Sequence, residues 1–343
     1  MPTALFAWRR TPPPFLIGGA EVTQQLLAEE LAAAGWHVTY LGSHEPPWNA
    51  EDQRAAMRTH LESRGLPYEE NRETLSFRWQ GLDCFSLPQE RLEPELRRLL
   101  GRLRPDVVFT SQEGSAELAV LARPQALVAG LLHSVSATGL GVLTGRPHYG
   151  LAVSEFVQTR ARTATDTRLA VMYPPFARPG PSTDTARTAA VLMVNPIPAK
   201  GAELLHRLIR LMPEQRFTLV EGWWDASADF ARYPNVTYIP RVYDMEPLYR
   251  SHRLLLVPSI VEDAFPRVIV EAALHGVPAI GSDRGGIPEA IGGEGVVLPV
   301  TAGPEAWMRA IRNVDHEALG LRARIRAARF ARPCLPELRE LGI

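Results

Sequence analysis

The chain has 343 residues, 45% of them hydrophobic, and a formal net charge of −1. That length exceeds one typical domain and suits two with apolar cores of their own. The near-neutral balance excludes a global field that would recruit nucleic acid. Two cysteines, Cys84 and Cys334, make neither a disulfide framework nor a metal pattern, so a reducing, cytoplasmic setting is expected. The opening MPTALFAWRRTPPP has too short an apolar run for a signal peptide. No stretch approaches the roughly 18 apolar residues that span a bilayer.

Strand-like and helix-like segments alternate along the chain. ALFAW (4–8) leads through a proline-rich loop to Gly18 and Gly19. A helix follows over roughly 20–34, with Val22, Leu26, Leu27, Leu31 and Ala34 at helical spacing, and Gly35 ends it. HVTYL (37–41) is a strand, and 51–63 a helix. TLSFRW and LDCFSL flank Gln80-Gly81 and predict a hairpin. DVVF (106–109), ALVAG (126–130) and LAV (151–153) are short strands with helices between them. A second series comprises AAVLMV (189–194), RFTLV (216–220), VTYI (236–239), RLLLV (253–257), VPAI (277–280) and VVL (296–298).

This alternation predicts an α/β fold of two doubly wound, Rossmann-like domains with mostly parallel sheets. The first takes 1–176. A Pro-, Ser- and Thr-rich linker takes 177–188. The second domain takes 189–315, and 316–343 is a helical tail expected to pack back toward the first. Two such domains facing each other hold a ligand in the cleft, at the carboxyl ends of the strands.

Lys200 is the one lysine among 37 basic residues. It sits where AAVLMV turns through NPIPAKG into an amphipathic helix. A bare cation at a helix N-terminus opposes the macrodipole by a few tenths to about 1 kcal/mol, and a bound anion reverses that sign. The plain alternative is an exposed loop residue. Glu271 lies inside VIVEAAL, where it either accepts hydrogen bonds from a ribose diol or pairs in a solvated stripe with Arg267 and His275 at i±4. Asp263 and Glu262 precede Phe265-Pro266 and a helix start. They either cap that helix or bind sugar hydroxyls.

Gly18-Gly19 before a helix permits close approach of a phosphate, and Gly285-Gly286 is similar; in both cases a plain turn is the simpler reading. His133 follows ALVAG and two leucines, either as a core histidine or at a strand's carboxyl end facing a cleft. Trp223-Trp224 pack a loop or stack on a base. Arg322, Arg324, Arg326 and Arg329 read as a solvated helix face, with peripheral membrane contact as the weaker alternative.

Taken together, these residues resemble the GT-B fold glycosyltransferases of family 4, which are retaining and use nucleotide sugars. The likeness runs over nearly the whole chain. GGAE (18–21), His133, Val153-Ser154-Glu155 and Lys200-Gly201 match family positions, and Asp263 with Glu271 matches its E-x7-E pair. The specific part is Gly276 to Glu289, which follows G-x-P-x-x-x-S-x-x-G-G-x-P-E. The resemblance implies that Lys200 neutralises the diphosphate of the donor, while Gly18, Gly19 and the amides near Arg267 and Val268 cradle it. It implies that Glu271 holds the ribose, that Asp263 binds donor-sugar hydroxyls with Glu262 and Phe265 beside it, and that His133 contacts the sugar near the reacting carbon.

By the same likeness the activity is hexosyl transfer from a UDP- or GDP-sugar, without metal or cofactor, to an acceptor held by the first domain. Three positions depart from the pattern. Asn195 stands where an arginine is usual, Asp263 where glutamate is usual, and Pro266 where glycine is usual. A degenerate member that binds nucleotide sugar or a partner without catalysis is therefore the competing expectation. A nicotinamide enzyme is disfavoured, because GLGVLTG (139–145) has the wrong spacing for G-x-G-x-x-G.

Overall fold

A computed structural model describes residues 1–15, 18–47, 51–180, 187–222, 228–242 and 244–343. The chain forms two compact units, Met1–Pro175 with Pro333–Ile343, and Phe176–Arg332.

The first unit is built on nine strands: β1 Thr3–Ala7, β2 His37–Ser43, β3 Tyr68–Glu70, β4 Leu75–Trp79, β5 Leu82–Leu87, β6 Val107–Ser111, β7 Leu127–Leu132, β8 Tyr149–Ala152 and β9 Arg168–Val171. Their order is β3-β4-β5-β2-β1-β6-β7-β8-β9. Pairings are parallel except β3–β4 and β4–β5. Gln80 and Gly81 take φ +46° and +85°, the double positive φ that a two-residue hairpin turn needs. Phe6, in the middle of β1, stacks between Tyr40 and Phe109, with ring centroids 5.4 and 4.7 Å away. Helix Gly19–Ala33 lays Leu27, Ala28 and Leu31 on this row, all fully buried. The chain's last helix, Leu335–Glu340, also belongs here. Its Leu335 amide donates to Glu30 Oε1 at 2.7 Å, and Leu338 is fully buried.

The second unit has six strands: β10 Val191–Val194, β11 Phe217–Val220, β12 Val236–Ile239, β13 Leu254–Val257, β14 Ala279–Ser282 and β15 Val296–Leu298. All pair in parallel, in the order β12-β11-β10-β13-β14-β15. Such strands are covered on both faces, which is why they read as short continuous apolar runs. Helix Ala202–Leu211 buries Leu205, Leu208 and Ile209 on one face, and helix Pro304–Asn313 adds Trp307 and Ile311. From β10 the chain winds toward β12, then returns to β13 on the other side. The loops after β10 and β13 therefore leave in opposite directions, opening a crevice at the carboxyl ends.

The tail expected as one segment over 316–343 is two helices, His316–Ala327 in the second unit and Leu335–Glu340 in the first. The arginine face also differs from a simple solvated stripe. Arg326 turns onto the carbonyls of Glu289 and Ala290, at 2.6 and 2.8 Å, at the end of helix Ile287–Ile291. Among the described residues no helix is long and apolar enough to cross a membrane.

Candidate functional site

In the second unit the site grows from the two loops at the β10/β13 switch. Asn195 follows β10 in the left-handed region, φ +59°, which short polar side chains tolerate best after glycine. Its amide continues the sheet to Val220 O at 2.8 Å, and its carbonyl accepts from Ile197 N–H at 2.8 Å. One tight turn, Pro198–Lys200, follows. Gly201 then takes φ +89°, and a Cβ there would lie 2.3 Å from the Pro258 carbonyl oxygen. Only glycine lets the two loops close on each other at this point. The Ile260 amide, donating to Ala199 O at 3.0 Å, ties them together.

The closure brings Lys200 to Asp263, 63 residues away in sequence. The ammonium donates to Asp263 Oδ1, with the side chains 28% and 15% exposed. Asp263 Oδ2 is buried and has no hydrogen-bond partner. Asp263 does not cap the following helix, Arg267–Leu274. Pro266 occupies the N-cap, and no side chain caps that end. Gly285 and Gly286 explain why the carboxylate loop fits. A Cβ at Gly285 would lie 2.3 Å from Asp263 O, and one at Gly286 would lie 2.1 Å from Ala264 O. The Gly286 amide donates to Asp263 O at 2.6 Å. These glycines hold the Glu262–Ala264 backbone.

Helix Arg267–Leu274 begins directly after this loop. The first amides of any helix lack acceptors within it, and its start carries a positive dipole end; here the Ile269 amide already turns back to Pro266 O at 3.1 Å. One turn further on, Glu271 accepts from Arg267 Nε at 3.1 Å through Oε1, and from the Tyr249 hydroxyl at 3.0 Å through Oε2. The expected Arg267–Glu271 pair is thus formed, but Arg267 is 9% exposed, and its guanidinium lies 4.4 Å over the Phe176 ring. Tyr249 is buried, and burial first, then the Glu271 carboxylate, push its hydroxyl well above the usual tyrosine range. It therefore stays a neutral donor. The Phe265 ring is buried against Phe176 and Phe330, at 6.5 and 5.4 Å between centroids, so its side chain is committed to packing.

The first unit has its own switch, between β1 and β6. Gly18 is the extended N-cap of helix Gly19–Ala33 and is half-buried, while Gly19 is exposed. His133 follows β7 directly and is half-buried at its carboxyl end. Sequence reading missed the charged group between these loops. Arg10, after β1, donates from Nε and Nη2 to both oxygens of Glu113, after β6, at 2.8 and 2.7 Å. Its Nη1 donates at 2.7 Å to Glu21, whose side chain is 2% exposed. Burial alone would raise the Glu113 carboxyl; the bonds from Arg10 hold it below its ordinary value. One signal was available: Glu21 lies on the same helical stripe as Ala28 and Leu31, where a carboxylate needs a partner.

Asn195, Lys200, Glu262, Asp263, Phe265, Arg267, Val268 and Glu271 thus all lie on the loops after β10 and β13 or on the helix that follows β13, in the second unit, and Gly18, Gly19 and His133 lie in the first. Tyr249 joins the group unforeseen. Trp223 and Trp224 fall outside the described residues. Among those residues no three His, Cys, Asp or Glu side chains are grouped to hold a metal ion. An ammonium, a helix start and two carboxylates with unused lone pairs suit a ligand that carries both negative charge and hydroxyl groups.

Two family models match the chain. One, described as glycosyl transferase 4-like domain, covers residues 18–173. The other, described as glycosyl transferases group 1, covers 189–315. Solved structures share the fold at low identity. Sucrose-phosphate synthase of Thermosynechococcus elongatus superposes with a TM-score of 0.73 at 18% identity, covering 99% of this chain and 98% of that one. HepE of Anabaena, in complex with UDP-glucose, gives 0.73 at 18% identity over 98% and 99%. The lipopolysaccharide outer core galactosyltransferase WaaB gives 0.62 at 15% identity over 93% of each. No curated protein sequence matches the chain.

Proposed function

The chain belongs to the group 1 glycosyltransferases of the GT-B fold, and on that premise we propose that it moves a hexosyl group from a nucleoside diphosphate to an acceptor hydroxyl, with retention at the anomeric carbon. One observation carries the reading. The chain's single lysine is held against Asp263, whose second oxygen is buried and unpartnered, beside a helix start at a topological switch point. A diphosphate accepted there takes the ammonium, and the carboxylate is left to receive sugar hydroxyls. The resident UDP-glucose of HepE makes a UDP-sugar the first donor to try, with GDP-sugars next.

In this reading Lys200 and the amides at the start of helix Arg267–Leu274 stabilise the charge that builds on the diphosphate as the glycosidic C–O bond breaks. Electrostatic preorganisation of this kind is commonly the largest catalytic term. The acceptor oxygen bonds to the anomeric carbon on the face the diphosphate leaves, and the departing phosphate oxygen takes the acceptor's proton. Glu271 receives the ribose hydroxyls. The scheme needs no metal ion, because cationic and amide groups carry the neutralisation, and we assign the protein to the cytoplasm.

UDP and GDP should each be tested for a rise in melting temperature, and turnover of UDP-glucose and related donors measured with and without acceptors. NMR of the product reports the anomeric configuration. No stabilisation by any nucleoside diphosphate sinks the reading. The second reading, binding without chemistry, is motivated by Asn195, whose side chain lies over Gly222 with its oxygen buried and unpartnered and carries no charge. Slow donor hydrolysis that is lost on Glu271→Gln excludes it.

A further inference from the structure

Glu271 is half-buried on its helix, between the buried Val270 and Ala272, and its selection of ribose needs a physical cause. A carboxylate has about four acceptor directions, two on each oxygen. Here one direction of each oxygen is already taken, Oε1 by Arg267 Nε at 3.1 Å and Oε2 by the Tyr249 hydroxyl at 3.0 Å. Both donors are themselves held. Tyr249 is 2% exposed, sits on the short helix Glu246–Ser251, and stacks on His275 with 5.9 Å between ring centroids. The Arg267 guanidinium lies against Phe176. Glu271 itself is 28% exposed, so its other directions reach solvent. The side chain is gripped from behind on both oxygens and left with one acceptor direction on each.

We infer that Tyr249 is the positioning residue that makes Glu271 a two-point acceptor for a vicinal diol, and so sets the protein's preference for ribose over 2′-deoxyribose nucleotides. The inference rests on Glu271 being the ribose contact. Without the Tyr249 hydroxyl, Oε2 loses its one fixed donor. The carboxylate, then held only by Arg267 through Oε1, can swing about its last torsion, which is broad for glutamate, and the remaining acceptors no longer stay matched to two hydroxyls. A 2′-deoxynucleotide needs only one of them and is hurt less. Tyr249 touches no part of the ligand in this scheme; it acts through Glu271.

The test uses the full chain, with UDP and GDP and their 2′-deoxy forms as probes, titrated calorimetrically. The wild type should prefer the ribose form by about tenfold, the size of one charge-assisted hydrogen bond. Tyr249→Phe should bring that ratio to about two while weakening the 2′-deoxy form little, and Glu271→Gln should bring it to near one. Lys200→Ala should weaken both forms alike and leave the ratio unchanged. In turnover, Y249F should raise KM for the donor more than it lowers kcat, a split that general loosening of the fold does not produce. If Y249F does not fold, Tyr249→Met, which fills the ring's place with an apolar chain, stands in. A ratio unchanged in Y249F but abolished in E271Q overturns the role of Tyr249 alone. A wild type that binds both forms equally overturns Glu271 as the ribose contact and the inference with it, and one that binds no nucleoside diphosphate overturns the functional reading beneath them.

Discussion

Replacing Asp263 with asparagine should tighten nucleoside diphosphate binding while slowing transfer. In the structure Asp263 competes for the charge that a diphosphate needs. Its Oδ1 accepts from Lys200, and the pair is largely shielded, 28% and 15% exposed. An exposed pair contributes 0 to 1 kcal/mol, and partial burial moves this one to about 1 kcal/mol. D263N removes that competitor and also a negative charge facing the incoming phosphates. Together these should raise affinity for UDP about five- to tenfold, since 1.4 kcal/mol is a factor of ten. The asparagine keeps the side chain's shape but has one acceptor oxygen instead of two. If the buried, unpartnered Oδ2 receives a sugar hydroxyl, turnover should fall by about a hundredfold, equivalent to roughly 2.7 kcal/mol in the transition state. Calorimetric titration with UDP and turnover of the accepted donor read the two effects separately. A D263N protein that binds UDP more weakly than wild type refutes the competition argument, because nothing else in that geometry lets the loss of a carboxylate weaken an anion's hold.

Three further outcomes follow from other contacts. Gly286→Ala places a Cβ 2.1 Å from Ala264 O, so the carboxylate loop must move; a melt should show a loss of about 2 kcal/mol or more together with loss of UDP stabilisation. Arg10→Gln strips Glu113 of both its bonds and leaves the buried Glu21 unpaired, which should cost about 3 kcal/mol, and Glu21→Gln in the same chain should restore part of it. Because the folded Glu113 carboxyl is held below its ordinary value, its contribution is present above the unfolded pKa and fades as pH falls through the folded one; R10Q should therefore flatten the acid limb of a melting-temperature profile. His252 is buried, 2.7 Å from Leu248 O through Nδ1 and 2.8 Å from Thr218 Oγ1 through Nε2, and burial pulls its pKa down. The unfolded chain takes up a proton first as pH drops through about 6.5, so stability should decline from there downward, and His252→Gln should lessen the slope; a steeper slope would contradict the burial argument.

The order of elements was largely readable, because buried parallel strands must be apolar and the helices between them amphipathic. Hence Val191–Val194 and Leu254–Val257 were visible as runs, and Leu27 and Leu31 as a stripe. Two strands escaped notice. Tyr68–Glu70 and Arg168–Val171 are edge strands of three and four residues; the first is mostly polar, and the second, although Leu169, Ala170 and Val171 are apolar, is too short for a period to stand out. The glycine pair at Gly285-Gly286 is legible as backbone geometry, but its purpose, making room for the Glu262–Ala264 loop, depends on which chain segment lies opposite. Asp263 read equally well as a helix cap until the structure showed it facing Lys200 and Pro266 in the cap position.

By itself the chain's order of residues settles the alternation of strands and helices, the chemistry stored at Lys200, Asp263 and Glu271, and the turns that only glycine can make. These are local matters: side-chain periodicity, charge and φ are properties of a residue and its near neighbours. Which groups meet was decided by tertiary structure. Lys200 finds Asp263 because β10 and β13 are adjacent in the sheet, and Glu271 gains Tyr249 because two helices 22 residues apart in sequence pack side by side. Arg10 spans 103 residues to reach Glu113 by the same logic. Pairing across such distances depends on strand order, and strand order follows from how whole apolar faces are covered rather than from any short stretch of sequence.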